Sequence, residues 1–175
     1  SGMGAVTPLG GDLESTWKNL IANKSGANFI SKFDTTDFQT KISCEVPIKN
    51  DDELLDESFD PGDWFSSKDL RKVDDFIVFG VAAAEMAIKD SLLANSNYNP
   101  SRIGVGVGSG VGGLPSIEQA SLTLAEKGPK RVSPFFIPGA LINLVAGQIS
   151  IRNNFKGPNL ASVTACSSGT HSICE

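Results

Sequence analysis

The apolar positions of this chain recur in phases that define its elements. Leu13, Trp17, Leu20 and Ile21 follow the i, i+4, i+7, i+8 spacing of one helix face, behind Asp12, whose carboxylate can accept from the free amides of a helix start. The spacing predicts a helix with that face buried, stopping near Gly26. Residues 27–66 mix Asp, Asn, Ser and Pro with short apolar pairs and keep neither a period of 2 nor one of 3.6, so they read as an excursion or insertion. From Ser67 to Leu93 a helical phase resumes. It places Leu70, Val73, Ile77, Gly80, Val81, Ala84 and Ile88 on one stripe and predicts one long buried helix.

The run Asn95-Ser96-Asn97-Tyr98-Asn99-Pro100 breaks that phase, and Ile103, Val105 and Val107 alternate with glycines as a strand with close neighbours. Gly108, Gly110, Gly112 and Gly113 end the strand. A helix is predicted over Pro115–Glu126, proline being tolerated where a first-turn amide has no partner. After a basic loop, residues 139–151 read as a second apolar helix. Gly157-Pro158 turns the chain, and Leu160, Ser162 and Val163 lead as a short strand into Thr164-Ala165-Cys166-Ser167-Ser168-Gly169. Strands interleaved with helices predict a layered α/β fold around a buried sheet.

Composition narrows what such a fold can do. The chain has 175 residues, 40% of them hydrophobic, enough for a folded core and against disorder as the main state. Fifteen Lys and Arg stand against twenty Asp and Glu, so no global basic field exists to attract nucleic acid or an anionic membrane. Seven of the acids lie between Asp51 and Asp63 with no base among them, and that run is expected at the exposed tip of the excursion. Every long apolar stretch is interrupted short of the ~18 residues of a membrane span. The N-terminus shows neither a charged n-region nor an apolar h-region, which reads as intracellular. Three cysteines without a CxxC pair and a single histidine indicate neither a disulfide framework nor a metal site.

Cys166 carries the candidate chemistry. A cysteine after a strand and before a helix of small residues gains a sharp turn that exposes its sulfur and a helix N-terminus that favours a thiolate. Amides of the same turn without helical partners can donate to an oxyanion forming on a thioester carbonyl, which makes acyl transfer the natural reaction. The pattern alone fits a buried structural thiol equally well.

The turn Thr164-Ala165-Cys166-Ser167-Ser168-Gly169 resembles the nucleophile turn of the condensing enzymes, the 3-oxoacyl-(acyl-carrier-protein) synthases of thiolase fold. Further blocks resemble the chain-elongating type II synthases of fatty-acid synthesis and occur in the family's order: residues 2–10, Glu14-Ser15-Thr16-Trp17, residues 108–113 and Ser133-Pro134-Phe135-Phe136-Ile137-Pro138. The resemblance implies the N-terminal half of a thiolase-like layered α/β/α fold, beginning just after a missing strand. It also implies a β-ketoacyl synthase, an acyltransferase, in which Cys166 takes an acyl group from acyl-carrier protein and a carbanion from decarboxylated malonyl-carrier protein attacks it. The Cys166 amide would be one oxyanion donor. Val111 and Phe136 match positions lining the acyl pocket, Phe136 near a dimer seam. Lys68, Arg71, Lys72, Lys130 and Arg131 match docking positions for the acidic carrier protein, although spacing alone makes both basic clusters ordinary solvated surface. The family's two histidines, lysine and glycine-flanked phenylalanine fall after Glu175, so the 175 residues alone are expected to be inactive. The resemblance further implies a homodimer in the cytoplasm, or in an organelle matrix if a transit peptide precedes, with no cofactor, metal, nucleic acid or membrane. Polyketide-type and thiolase condensations keep the same fold and stand as alternatives.

Two other features compete for a role. Gly108, Gly110 and Gly113 satisfy GxGxxG between a strand and a helix, as a dinucleotide fingerprint would, and a non-catalytic nucleotide-binding or scaffolding module is the alternative it raises. No acidic strand end follows, only Lys127-Gly128-Pro129-Lys130-Arg131, so tight backbone packing is the favoured reading. His171 lies five residues after Cys166, which turns it ~140° around a helix and away from the sulfur. A structural role is therefore expected for it. Cys174, roughly 12 Å along the same helix, is out of disulfide reach of Cys166. Cys44 reads as incidental.

Overall fold

The computed structural model describes residues 1–49 and 57–175. Helix α1 (Leu13–Ile21) starts where the pattern places it. Asp12 is extended, its Oδ1 accepts from the Ser15 amide at 2.7 Å, and its own amide donates to the Ser15 hydroxyl at 3.3 Å, closing a capping box. The expected burial of its apolar face does not occur. Trp17, Leu20 and Ile21 are 61%, 52% and 63% exposed, whereas Ser15 and Asn19 are buried. The helix docks through polar bonds instead: Asn19 Nδ2 donates to the Leu9 carbonyl at 2.7 Å and to Glu57 Oε2 at 2.8 Å. Those contacts select the face that turns inward.

The excursion holds a short antiparallel ladder, β1 (Asn28–Phe29) with β2 (Ile42–Ser43). Of the acidic run, residues 51–56 lie outside the described residues. Of the remainder, residues 57–60 are anchored, because Phe59 is 1% exposed in the core and Glu57 and Asp60 beside it meet bases from elsewhere, while Asp63 is exposed. Glu57 lies 2.7 Å from Lys18 Nζ and 3.5 Å from Lys24 Nζ, and Asp60 lies 3.2 Å from Lys49 Nζ.

The stripe over residues 67–93 forms two main helices instead of one, α2 (Ser67–Leu70) and α3 (Asp75–Asp90). Between them the chain leaves the helical path to make tertiary bonds. The Asp74 amide donates to the Gly139 carbonyl at 3.1 Å, and its buried carboxylate accepts from Ser116. Beyond that break the stripe behaves as expected. Ile77 and Val81 are fully buried, with Val78 and Ala82 beside them, against Val145 and Ile149 of a later helix and against Phe59 and Phe65. A side chain on Gly80 would meet Val145 Cγ1 at 2.6 Å, so the lack of one lets Val145 pack directly on the α3 backbone.

Strand β3 (Val105–Gly108) leads through the glycine loop to α4 (Leu114–Lys127), close to the predicted span. The single helix expected over 139–151 is two, α5 (Phe136–Ala140) and α6 (Asn143–Asn153). The Ala140 carbonyl is taken by the Gly113 amide at 3.0 Å, and Leu141 turns extended, so a bond to the glycine loop ends the first helix. Strand β4 (Asn159–Ser162) runs parallel to β3, with Val105 opposite Asn159 and Gly108 opposite Ser162. Helices α6 and α7 (Ser168–Cys174) pack on this pair, as a layered α/β arrangement requires. The sheet is less buried than expected. Among the described residues it has two strands, so β4 is an edge and only Ser162 within it is buried.

No described helix is long and apolar enough to cross a membrane.

Candidate active site

Strand β4 delivers the chain into a tightly laced turn. Ala165 stands at φ +51°, in the left-handed region, which costs a residue with a Cβ roughly 1 kcal/mol. Its neighbours hold it there. The Thr164 amide donates to Ser168 Oγ at 2.9 Å, Ser168 Oγ donates to the Ala165 carbonyl at 2.7 Å, and Ser167 Oγ donates to the Thr164 carbonyl at 2.7 Å. Cys166 sits at the crest of this turn with its thiol free and exposed, so the alternative of a buried structural thiol is not what this structure shows.

Two grooves flank α5. The first, about 370 Å³, is apolar and brings Val111 and Phe136 together with Ile117, Ile142, Ala161 and Val163. Cys166 is not part of this lining, which ends in the chain at Val163. Phe136 is half-buried and shared with the second groove, about 500 Å³, where Arg71, Lys72 and Arg131 converge beside Asp74, Ser116 and Phe135. Lys68 and Lys130 are exposed but line neither groove. Lys68, Arg71 and Lys72, whose i, i+3, i+4 spacing would put them on one helix face, do not share one, because α2 ends at Leu70 and Arg71 and Lys72 lie in the turn that follows. Lys72 is committed locally. Its Nζ donates to Asp69 Oδ1 at 2.6 Å and lies 5.5 Å from the centre of the Phe135 ring. The Lys72 ammonium and the Ser66 hydroxyl hold the Asp69 carboxyl below its ordinary pKa.

His171 does not serve Cys166. Its Nε2 lies 3.4 Å from Glu175 Oε1 one turn along α7, and Glu175 Oε2 accepts from the Ser162 hydroxyl at 2.8 Å. Cys44 and Cys174 also carry free, exposed thiols. The glycine motif is explained by close approach. A side chain on Gly108 would meet the Ser168 carbonyl, one on Gly110 would come 3.2 Å from the Ala165 carbonyl, and one on Gly113 would come 2.8 Å from Ala140 Cα. These glycines therefore pack the loop between the cysteine turn and α5. Among the described residues no cluster of His, Cys, Asp or Glu could hold a metal ion.

Two residues of this region escape sequence reasoning. Asp74 is a buried acid that joins α3, α4 and α5, and its only local signal is its place before an apolar helical phase. Ser168 is 2% exposed and braces the cysteine turn, signalled only by the paired serines after Cys166.

The Cys166 thiol is free and exposed on a strand-to-helix turn, and Val163, three residues before it, lines the apolar groove. The whole of this sequence, residues 1–175, matches the family model described as Beta-ketoacyl synthase, N-terminal domain, and the chain belongs to that family. It is 45% identical over 174 residues to 3-oxoacyl-(acyl-carrier-protein) synthase 2 of Rhizobium meliloti, an overlap covering 99% of this chain and 41% of that protein. The chain thus spans about two fifths of that relative's length. A beta-ketoacyl synthase from Burkholderia phymatum superposes with a TM-score of 0.75 at 23% identity, over 99% of this chain and 40% of that one. A type II polyketide ketosynthase, in complex with its acyl-carrier protein and bound to a hexaketide, gives a TM-score of 0.71 at 25% identity, over 99% of this chain and 44% of that one. The fold is accordingly the thiolase-like α/β fold of the ketosynthases.

Proposed function

We propose that this chain supplies the acyl-accepting half of a 3-oxoacyl-(acyl-carrier-protein) synthase that elongates fatty acids. The observation that carries the reading is the exposed Cys166 thiol on a braced turn, in a chain 45% identical to a synthase of that name. In the first step Cys166 Sγ attacks the thioester carbonyl of an acyl-carrier protein. A carbon–sulfur bond to Cys166 forms, the bond to the carrier's sulfur breaks, and the carrier thiol leaves with the proton that Cys166 gave up. The Cys166 amide donates to the oxygen that becomes negative as the carbonyl turns tetrahedral. In the second step malonyl-carrier protein loses carbon dioxide, the resulting carbanion attacks the Cys166 thioester, and the sulfur leaves. The 3-oxoacyl chain ends on the second carrier. Residues for the decarboxylation match no position here, so turnover is expected only of a longer chain that carries them.

The apolar groove bearing Val111 and Phe136 receives the alkyl chain, each buried methylene adding roughly 0.8 kcal/mol. The groove with Arg71, Lys72 and Arg131 receives the acidic carrier protein, with Lys68 and Lys130 extending the positive surface beyond it. The enzyme works as a cytoplasmic homodimer, Phe136 lying close to the seam. The test is turnover in the full-length protein. With long-chain acyl-carrier and malonyl-carrier proteins it should release one carbon dioxide per 3-oxoacyl product, and no product would overturn the reading. A polyketide-type reaction is the second reading, favoured by the likeness to the hexaketide-bound ketosynthase. It would give unreduced chains extended several times, where the first reading gives one extension.

A further inference from the structure

We propose that Ser168 is a positioning residue for the Cys166 thiol, an inference that rests on the acyl-accepting role given to Cys166. The Ser168 hydroxyl is used in both directions: it accepts from the Thr164 amide at 2.9 Å and donates to the Ala165 carbonyl at 2.7 Å. It thereby spans both sides of Cys166, joining the backbone before the cysteine to the first residue of α7. The Ser168 amide also donates to the Ala165 carbonyl, so that one oxygen is held twice.

Such bracing has a specific task here. Ala165 is left-handed at φ +51°, a conformation that alanine does not keep without an imposed constraint. Among the described residues the other left-handed non-glycine residues are Asn23, Leu92 and Asn154, none of them at the turn. If Ala165 relaxed, the backbone that aims Cys166 would rotate. Ser168 is 2% exposed, so water has little access to replace its hydroxyl in either bond. The far side is closed as well. Strand β3 lies so close that a side chain on Gly108 would overlap the Ser168 carbonyl, and Gly110 abuts the Ala165 carbonyl. The turn is therefore clamped between a buried hydroxyl and a glycine-lined strand end, while the other side-chain brace, from Ser167 Oγ to the Thr164 carbonyl at 2.7 Å, comes from an exposed residue.

The structure thus assigns to Ser168 the orientation of the sulfur toward the thioester, with no contact to the substrate. The experiment compares S168A and S168T with the parent in the full-length protein. Two rates are followed: acyl transfer to Cys166 from acyl-carrier protein, and alkylation of Cys166 by iodoacetamide. S168A should lower the maximal acylation rate on the order of tenfold, because a small misplacement of a reacting atom is enough to do so. KM for the acyl donor should stay unchanged, alkylation should change with acylation, and S168T should restore both. Acylation of S168A at the parent rate would overturn the proposal. So would rates that fall only in proportion to a lower melting temperature and that S168T leaves unrestored. Should S168T not fold, the S168A rates decide alone. If the parent takes no acyl group at Cys166 while S168A still alters alkylation, the functional reading fails and the positioning role stands.

Discussion

One carboxylate oxygen of Asp74 accepts both the amide and the hydroxyl of Ser116, at 3.0 and 2.7 Å. Because Asp74 is 8% exposed and also precedes α3, this bond pair fixes the start of α4 to the start of α3. Through the Asp74 amide the same residue reaches Gly139 of α5, so three helices that border the groove with Arg71 and Arg131 meet at one residue. Asp74→Ala leaves the Ser116 donors without a partner and should cost about 2 kcal/mol. Asp74→Asn keeps one acceptor oxygen and should cost less. Denaturant unfolding of the two variants against the parent measures the difference, and equal losses would deny the carboxylate its bridging role.

Glu57 ties the acidic segment to α1, and its titration should be visible. Hydrogen bonds from Asn19 and then Lys18 lower its pKa from 4.5 to about 2. A carboxylate held below its unfolded value stabilises the fold above that value, and the contribution is lost as pH falls. The window therefore runs from about pH 4.5 down to about pH 2. Glu57→Gln should lower stability most above about pH 4.5 and flatten its fall from there down to about pH 2, as read from melting temperatures at stepped pH. A steeper fall in the variant would show that the bonds to Asn19 and Lys18 do not lower the titration.

The proposed carrier surface gives a kinetic prediction. Arg71, Lys72 and Arg131 face one groove, so the double reversal R71E/R131E should slow association with acyl-carrier protein on the order of tenfold at low ionic strength. Lys72 is already paired with Asp69, and its reversal should cost less. The differences should shrink in ~0.5 M salt as screening removes the attraction. Stopped-flow association rates across a salt series provide the measurement. Rates that the reversals leave unchanged would move docking elsewhere.

Local chemistry was the most legible part of this chain. Asp12, the spacing behind it, and Ile77 with Val81 on one stripe could be read because each depends on neighbours within a few turns. The burial of α1 could not. A period shows that one face could be covered but says nothing about which segment arrives, and Asn19 wins the contact through Leu9 and Glu57. The break before Asp74 was hidden for a similar reason, since Leu70, Val73 and Ile77 stay in phase across it while the bonds that cause it come from Gly139 and Ser116. At the site, the pairing of Val111 with Phe136 came from family resemblance, and no spacing implied it. The resemblance also supplied the expected docking residues Lys68, Arg71, Lys72, Lys130 and Arg131, of which Arg71, Lys72 and Arg131 line one groove.

The central claim is that one thiol of three accepts the acyl group. All three cysteines are free and exposed, so exposure alone does not choose among them. The full-length protein should be incubated with a long-chain acyl-carrier protein, digested, and its cysteine peptides weighed. The account predicts the acyl mass on the Cys166 peptide alone, lost in Cys166→Ala and kept in Cys44→Ala and Cys174→Ala. An adduct that survives Cys166→Ala, or one carried by either of the other two peptides in the parent, would contradict it.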